Sequence, residues 1–240
     1  MINKVNVKGS FTKLPLTFTK IKNDDIITNS YIVQLMYICE VNNMEKDKNE
    51  LNQEKQVKLS IALLDIYLPL EERKKIIMEI IPEFIECNEC DHENPAHCFF
   101  VLDHIMHVVD GMPKKVIPRL AALFHDISKP ECKIKGEERY HYFGHPEKGA
   151  VKTREILTRL EYSKEDVDVI SAMVKYHDTY IDSSDELFRE AVSEIGKQNM
   201  QDFVKLQRAD LNAHAKWYME KYTDMLSKAH EHYEELLSNM

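Results

Sequence analysis

The chain has 240 residues, 43% hydrophobic and 30% charged, a balance typical of a folded globular protein and not of a disordered one. Its six glycines and eight prolines are few, which favours long helices over a turn-rich β architecture. A net charge of −9 argues against broad binding to nucleic acid, and no apolar run has the length of a membrane span. The five cysteines and the lack of a signal-like segment predict a cytoplasmic protein.

The N-terminal part of the chain differs in pattern from the rest. Short apolar runs over residues 14–18 and 31–38 are typical of extended segments, although the second run equally fits a short buried helix. Residues 44–56 are polar and charged, which indicates a solvated linker or the exposed start of a helix. We therefore predict an N-terminal extension, part β in character, over residues 1–55 and a helical domain over 56–240.

Helical periodicity dominates the second part. Apolar residues recur at helical spacing, Ser163 is a candidate N-cap, and residues 132–143 read as a loop. The predicted class is mainly α, a helical bundle. The predicted helices cover residues 57–68, 71–81, 97–109, 118–127, 148–160, 164–177, 186–195 and 199–238.

An adjacent imidazole and carboxylate, His125 and Asp126, end the apolar segment 118–127. Together they offer one nitrogen and one oxygen ligand to a divalent cation. Lys129 follows, where it can face an anion, and Pro130 is expected to stop the helix. Such pairs are common by chance, so their meaning depends on further ligands elsewhere in the chain.

Further ligand-type residues lie in or next to other predicted helices: His104, His177 and Asp210 within them, and His145 just before one. Each alone is more often an ordinary core or surface residue, and His107 shares a helix face with His104, so periodicity leaves both open. Mixed imidazole and carboxylate ligands suit Mn, Fe, Co, Ni, Zn or Mg. A cation held in this way lowers the pKa of a bound water and polarises a phosphoryl oxygen.

A second cluster competes for a metal. Cys87 and Cys90 form a CxxC pair, with His92, His97 and Cys98 close behind, which is compatible with a structural zinc site. The segment lacks a second CxxC or a matching pair of histidines. Buried free thiols are therefore the preferred interpretation.

Several motifs, taken together over residues 80–213, resemble the HD-domain superfamily of metal-dependent phosphohydrolases, most closely the HD module that follows the catalytic head of bacterial tRNA nucleotidyltransferases. The motifs are residues 81–84, 93–97, 103–104, 119–130, 140–145 with 149–150, and 206–210. The resemblance implies that the metal set is His104, His125, Asp126 and Asp210, which favours His104 over His107. Relatives with two metals add histidines that correspond to His145 and His177, so one or two cations are expected.

The chain departs from the family in two ways. Ser128 stands where glycine is usual, and residues 1–55 contain no Gly-Ser pair followed by an Asp-x-Asp metal motif. The resemblance therefore implies an enzyme that hydrolyses a nucleotide, a phosphomonoester or a 2′,3′-cyclic phosphate, without nucleotide transfer. Asp126 and Lys129 are its candidate catalytic residues.

Substrate contacts are expected from Lys129, Arg139 and Tyr142, which combine positive charge with an aromatic ring. The same residues also fit a solvated helix-end lysine and a loop whose aromatic side chains pack inward. Asp178 is a candidate general base or an exposed loop carboxylate.

Two other functions remain open at this point. One is a non-catalytic module that binds RNA, a nucleotide or a protein and uses the metal as a structural staple; the acidic composition gives no support to RNA. The other is a stress-nucleotide hydrolase of the same superfamily. No membrane partner is expected, and the sequence leaves the oligomeric state open.

Overall fold

The computed structural model describes residues 48–65, 67–179 and 184–239, and within them it confirms a mainly α fold. A small antiparallel hairpin accompanies the helices. The elements are α1 (Lys48–Leu64), α2 (Leu70–Ile80), α3 (Phe84–Glu89), α4 (Val101–Gly111), α5 (Val116–Phe124), α6 (Lys129–Cys132), β1 (Ile134–Lys135), β2 (Tyr140–His141), α7 (His145–Arg159), α8 (Lys164–Tyr176), α9 (Asp185–Ile195), the 3-10 turn Lys197–Asn199, α10 (Met200–Asn212) and α11 (Lys216–Ser238).

The first helix starts earlier and ends earlier than its apolar pattern suggests. Residues 48–56 belong to α1, so this part of the polar segment is the start of a helix. The helix ends at Leu64 because the Asp65 side chain accepts a hydrogen bond from the Tyr67 backbone N–H, which forms a turn. The residues before 48, with the predicted β character of the extension, lie outside the described part of the chain, and the boundary at 55/56 stays a prediction.

Two helix predictions were wrong because tertiary contacts set the boundaries. The helix predicted from residue 97 begins at Val101, since Phe100 forms an antiparallel β-bridge with Asp91 and the Val101 N–H donates to the Cys90 carbonyl 2.9 Å away. The helix predicted over 199–238 is two helices, interrupted at residues 213–215, where the Ala215 N–H donates to the Ala96 carbonyl 2.8 Å away. Both corrections involve the same loop before α4.

The remaining local predictions are partly confirmed and partly wrong. Ser163 caps α8 as expected, because its Oγ accepts from the Asp166 N–H at 3.1 Å. Pro130 does not stop a helix: α5 has already ended at Phe124, and Pro130 lies in the first turn of α6, where its missing N–H costs nothing. The expected loop 132–143 contains the hairpin β1–β2, in which Ile134 faces His141.

Helices α8 and α10 are each packed against several other helices of the bundle. Helix α8 packs against α5, α7 and α9, while α10 packs against α4, α5 and α11. Gly149 lets α7 approach closely, because a Cβ there would lie 3.2 Å from Val174 on α8 and 3.7 Å from the His125 carbonyl. No helix in the described ranges combines the length and apolar character that crossing a bilayer requires.

The buried Arg119 ties three chain segments together. Its guanidinium donates to the carbonyl oxygens of Leu63, Met112 and Pro113, and the side chain is almost wholly buried. We expect Arg119→Met to lower the free energy of unfolding by about 3 kcal/mol, because three buried carbonyls lose a charged donor. Urea unfolding followed by circular dichroism measures the change.

The matched control is Arg154→Met. Arg154 is exposed and pairs with Asp168 on the surface. Loss of such a pair costs about 0–1 kcal/mol. Equal losses of stability in the two variants would contradict the structural role of Arg119.

Candidate metal centre

All six predicted ligands converge at one place in the bundle, and each comes from a defined point on its element. His104 lies in the middle of α4, and His125 and Asp126 directly follow α5. The other three are His145, the first residue of α7, His177, which directly follows α8, and Asp210, in the last turns of α10. All six side chains are buried.

The first group of ligands consists of His104, His125 and Asp210, whose ligand atoms lie within 4.8 Å of one another. His104 Nε2 lies 3.0 Å from Asp210 Oδ1 and 3.4 Å from His125 Nε2. The Oδ2 oxygen of Asp126 faces the same two rings, at 3.4 Å from His104 Nε2 and 3.2 Å from His125 Nε2. Two imidazole nitrogens and carboxylate oxygens therefore point at one position.

The second group consists of Asp126, His145 and His177, again with ligand atoms within 4.8 Å of one another. His145 Nε2 lies 3.2 Å from Asp126 Oδ1 and 3.3 Å from His177 Nε2. The two oxygens of Asp126 thus face different histidine pairs. Asp126 would therefore offer one oxygen to a cation at either histidine pair.

Backbone contacts fix the tautomer of three of the four histidines. In each, Nδ1–H donates to the carbonyl three residues earlier, so Nε2 is the nitrogen that can bind a metal once the ring is neutral. The pairs are His125 with Ala122 (2.7 Å), His145 with Tyr142 (2.8 Å) and His177 with Val174 (2.7 Å). His104 is the exception: its Nδ1 is buried, and no residue in the described ranges is its hydrogen-bond partner.

Charges in the site are strongly coupled. Burial lowers the pKa of His125, but Asp126 and Asp210 outweigh it and raise that pKa to about 10. Burial alone disfavours ionised carboxylates, yet His125 and its neighbours hold the pKa values of Asp126 and Asp210 well below their usual range. Burial lowers the pKa of His177, so its ring is neutral at pH 7.

The environment of Asp126 fits a divalent cation. Lys129 Nζ lies 2.7 Å from Asp126 Oδ2, yet neither carboxylate oxygen receives a well-aligned hydrogen bond from the part of the chain that the structure describes. Burying a carboxylate without hydrogen bonds is costly, and a cation removes that cost. His104, His125 and Asp210 would hold one cation, and His145 and His177 with Asp126 a second.

The predicted substrate residues occupy different positions. Lys129 is buried beside the ligands, with its ammonium 5.6 Å from the centre of the Tyr142 ring. Tyr142 is also buried, and its hydroxyl donates to the His92 carbonyl. Arg139 is exposed, in the turn between β1 and β2. Asp178 is partly exposed, with Oδ2 3.4 Å from His145 Nε2.

Neither Cys87 nor Cys90 belongs to any group of candidate metal ligands among the described residues. Cys87 is buried and its thiol donates to the Ile127 carbonyl, in agreement with the free-thiol interpretation. His92 and His97 instead pack beside His104, together with His214, whose position gave no signal in the sequence.

Gln207 is a second residue that the sequence did not single out. It is buried; its amide donates to the His177 carbonyl at 3.1 Å, and its oxygen accepts from His230 Nε2 at 3.1 Å. It therefore orients the backbone at one predicted ligand. Gln207 lies in the motif 206–210, but the motif carried no information about this contact.

A family model for the HD domain matches residues 96–226, more than half of the chain. The chain belongs to the HD domain family. The matched span runs from the loop before α4 into α11 and contains all six converging side chains, so the HD domain and the candidate metal centre coincide.

One curated relative supports the same HD domain. The chain is 34% identical over 90 residues to a CC-adding tRNA nucleotidyltransferase of Thermus thermophilus. The match covers 36% of this chain and 20% of that protein, so the chain spans one fifth of the relative's length. The similarity concerns an HD module, and the activity of the whole relative is not implied.

Proposed function

We propose that the protein is a metal-dependent phosphohydrolase that acts on a nucleotide or another phosphoester. The observation that carries this proposal is the placement of Asp126, whose two oxygens face two histidine pairs while the Lys129 ammonium lies 2.7 Å away. Buried ligands next to a buried positive charge suit an anionic substrate whose phosphoryl group gains charge during hydrolysis.

Each residue has a role in the proposal. A bound divalent cation lowers the pKa of a water and neutralises charge on the phosphoryl oxygens. Lys129 binds a phosphate oxygen, and it stays charged because Asp126 and Asp210 outweigh the effect of burial and raise its pKa. Asp178 lies at the partly exposed edge of the site and is the general base that accepts a proton from the attacking water.

A groove beside the centre favours a substrate larger than the cleaved phosphate. The groove has a volume of about 440 Å³, and Lys205 and Arg208 line it together with His107 and His214; its lining among the described residues contains no carboxylate. It adjoins the ligands, since His214 Nδ1 lies 3.8 Å from Asp210 Oδ1. A groove of this size and charge suits the remaining part of a nucleotide.

The test is a panel assay on the full chain. The protein is stripped with chelator, reloaded separately with Mn, Fe, Co, Ni, Zn or Mg, and assayed on 5′-nucleotides, 2′,3′-cyclic nucleotides and p-nitrophenyl phosphate. We expect hydrolysis that requires the metal, with nucleotides preferred over the small ester because of the groove.

The absence of turnover with every metal would overturn the proposal. If metal then still raised the melting temperature, the protein would be a binding module with a structural metal. A cytoplasmic location is part of the proposal, since Cys87, Cys90, Cys98 and Cys132 are free thiols.

A further inference from the structure

A cluster of four imidazole rings lies against the metal centre and shares one ring with it. The rings of His92 and His97 stack at 3.8 Å, and His97 lies 4.3 Å from His214. His104 meets the other rings edge to face, at 5.1 Å from His97 and 5.2 Å from His214. Apart from His104, none of these rings belongs to the two ligand groups around Asp126.

The cluster contains ring nitrogens that lack a partner. Nδ1 of His104, Nδ1 of His97 and Nε2 of His92 are buried and have no hydrogen-bond partner among the described residues. The other three ligand histidines of the metal centre all use Nδ1 to donate to a carbonyl, so His104 departs from the pattern. Buried polar atoms normally have partners, so this place is built for a further group.

The hydrogen bonds of His214 and His92 show which of their ring nitrogens carries the proton. His214 Nδ1–H donates to the Asp210 carbonyl at 2.8 Å, so its Nε2 carries a lone pair. His92 Nδ1–H donates to the Phe99 carbonyl at 2.7 Å, which fixes the ring that stacks on His97. The cluster therefore presents lone pairs, as a metal site requires.

We propose that His97, His104 and His214 form a further cation site next to the metal centre. One ligand nitrogen from each ring lies within 4.8 Å of the others. A tetrahedral site with metal–nitrogen bonds of about 2.0 Å needs nitrogens about 3.3 Å apart, so small side-chain shifts suffice.

His104 is the shared ligand in this proposal. Its Nε2 faces Asp210 at 3.0 Å, and Nδ1 is the nitrogen left for the cation beside His97 and His214. A ring that binds two cations gives up its remaining ring proton to the solvent when the second cation binds.

The ligand chemistry predicts which cations bind. Three imidazoles without a carboxylate suit Zn, Co, Ni or Cu and not Mg or Ca. The metal centre around Asp126 has mixed imidazole and carboxylate ligands and accepts a wider range. Zinc and cobalt should therefore fill one position more than magnesium does.

The experiment counts metals in the full chain. Chelator-stripped protein is equilibrated with Co²⁺, passed over a desalting column and analysed by mass spectrometry of the metal. We expect the double variant His97→Asn with His214→Asn to hold one Co²⁺ per chain fewer than the wild type. The control His107→Asn changes an exposed ring that contacts Phe99 and belongs to no ligand group among the described residues, and it should hold as many as the wild type.

Equal Co²⁺ content in the wild type and the folded double variant would overturn the proposal. If the double variant does not fold, anomalous diffraction at the zinc edge from wild-type crystals grown with Zn²⁺ decides instead. A peak between the rings of His97, His104 and His214 supports the site, and no peak there overturns it. Neither measurement depends on phosphoester hydrolysis, so the site and the proposed function can fail separately.

Discussion

Replacement of Asp126 by asparagine is expected to lower the rate of metal-dependent phosphoester hydrolysis by about 10³-fold, equivalent to about 4 kcal/mol of transition-state stabilisation. The variant keeps the shape of the side chain. It replaces one of the two oxygens, which face His125 and His145 at 3.2 Å each, with an NH₂ group that cannot bind a cation. It also removes the negative charge beside Lys129. The measurement is kcat/KM for the best substrate of the panel, with metal content determined on the same samples.

The matched control is Asp168→Asn. Asp168 pairs with Lys164 and Arg154 on the surface of α8, away from the ligands. It should leave the rate within about twofold of the wild type, since surface ion pairs contribute about 0–1 kcal/mol. Wild-type activity in the folded Asp126→Asn variant would contradict the proposed role of Asp126 as a metal ligand.

Helical periodicity is a local property, and it predicted much of the bundle. Apolar spacing placed α2, α5, α7, α8 and α9 within a few residues of their observed bounds. The break at residues 213–215 has no glycine or proline to announce it. It depends on the Ala215 N–H meeting the Ala96 carbonyl, a contact over more than a hundred residues that no local pattern encodes.

In the candidate metal centre, too, some features could be predicted from the sequence and others depend on long-range contacts. Periodicity could not separate His104 from His107, but the family resemblance favoured His104, and His104 is the one buried against Asp210. The structure brings the six proposed ligands together, although their roles stay predictions. His214 was missed because it lies outside every recognised motif and reaches the site only through the break between α10 and α11.

Metal binding at pH 7.5 is expected to release about one proton per chain from His125. Burial lowers the pKa of His125, but Asp126 and Asp210 outweigh it and raise that pKa to about 10, so the ring is protonated before the cation binds. An imidazole must be neutral to offer its lone pair to a metal, so the proton leaves. Calorimetric titration of Mn²⁺ in buffers of different ionisation enthalpy measures the number released.

As the pH rises, the stability of the metal-free protein is expected to fall, whereas its affinity for metal is expected to rise. The pKa of His125 is higher in the folded protein than the value of 6.5 for the unfolded chain, so protonation of His125 stabilises the metal-free protein. This stabilisation is complete below pH 6.5 and is lost as the pH rises through about 10. Metal affinity instead rises, by about tenfold per pH unit, because the competing proton is removed. The gain in melting temperature on adding Mn²⁺ should therefore increase from pH 7 to pH 9.

The control for proton release is His232→Asn. It should release as many protons as the wild type, since His232 is an exposed ring that pairs with Asp185 on the surface. No proton release in the wild type would mean that His125 is already neutral, and the carboxylates would then not dominate the electrostatics of the centre.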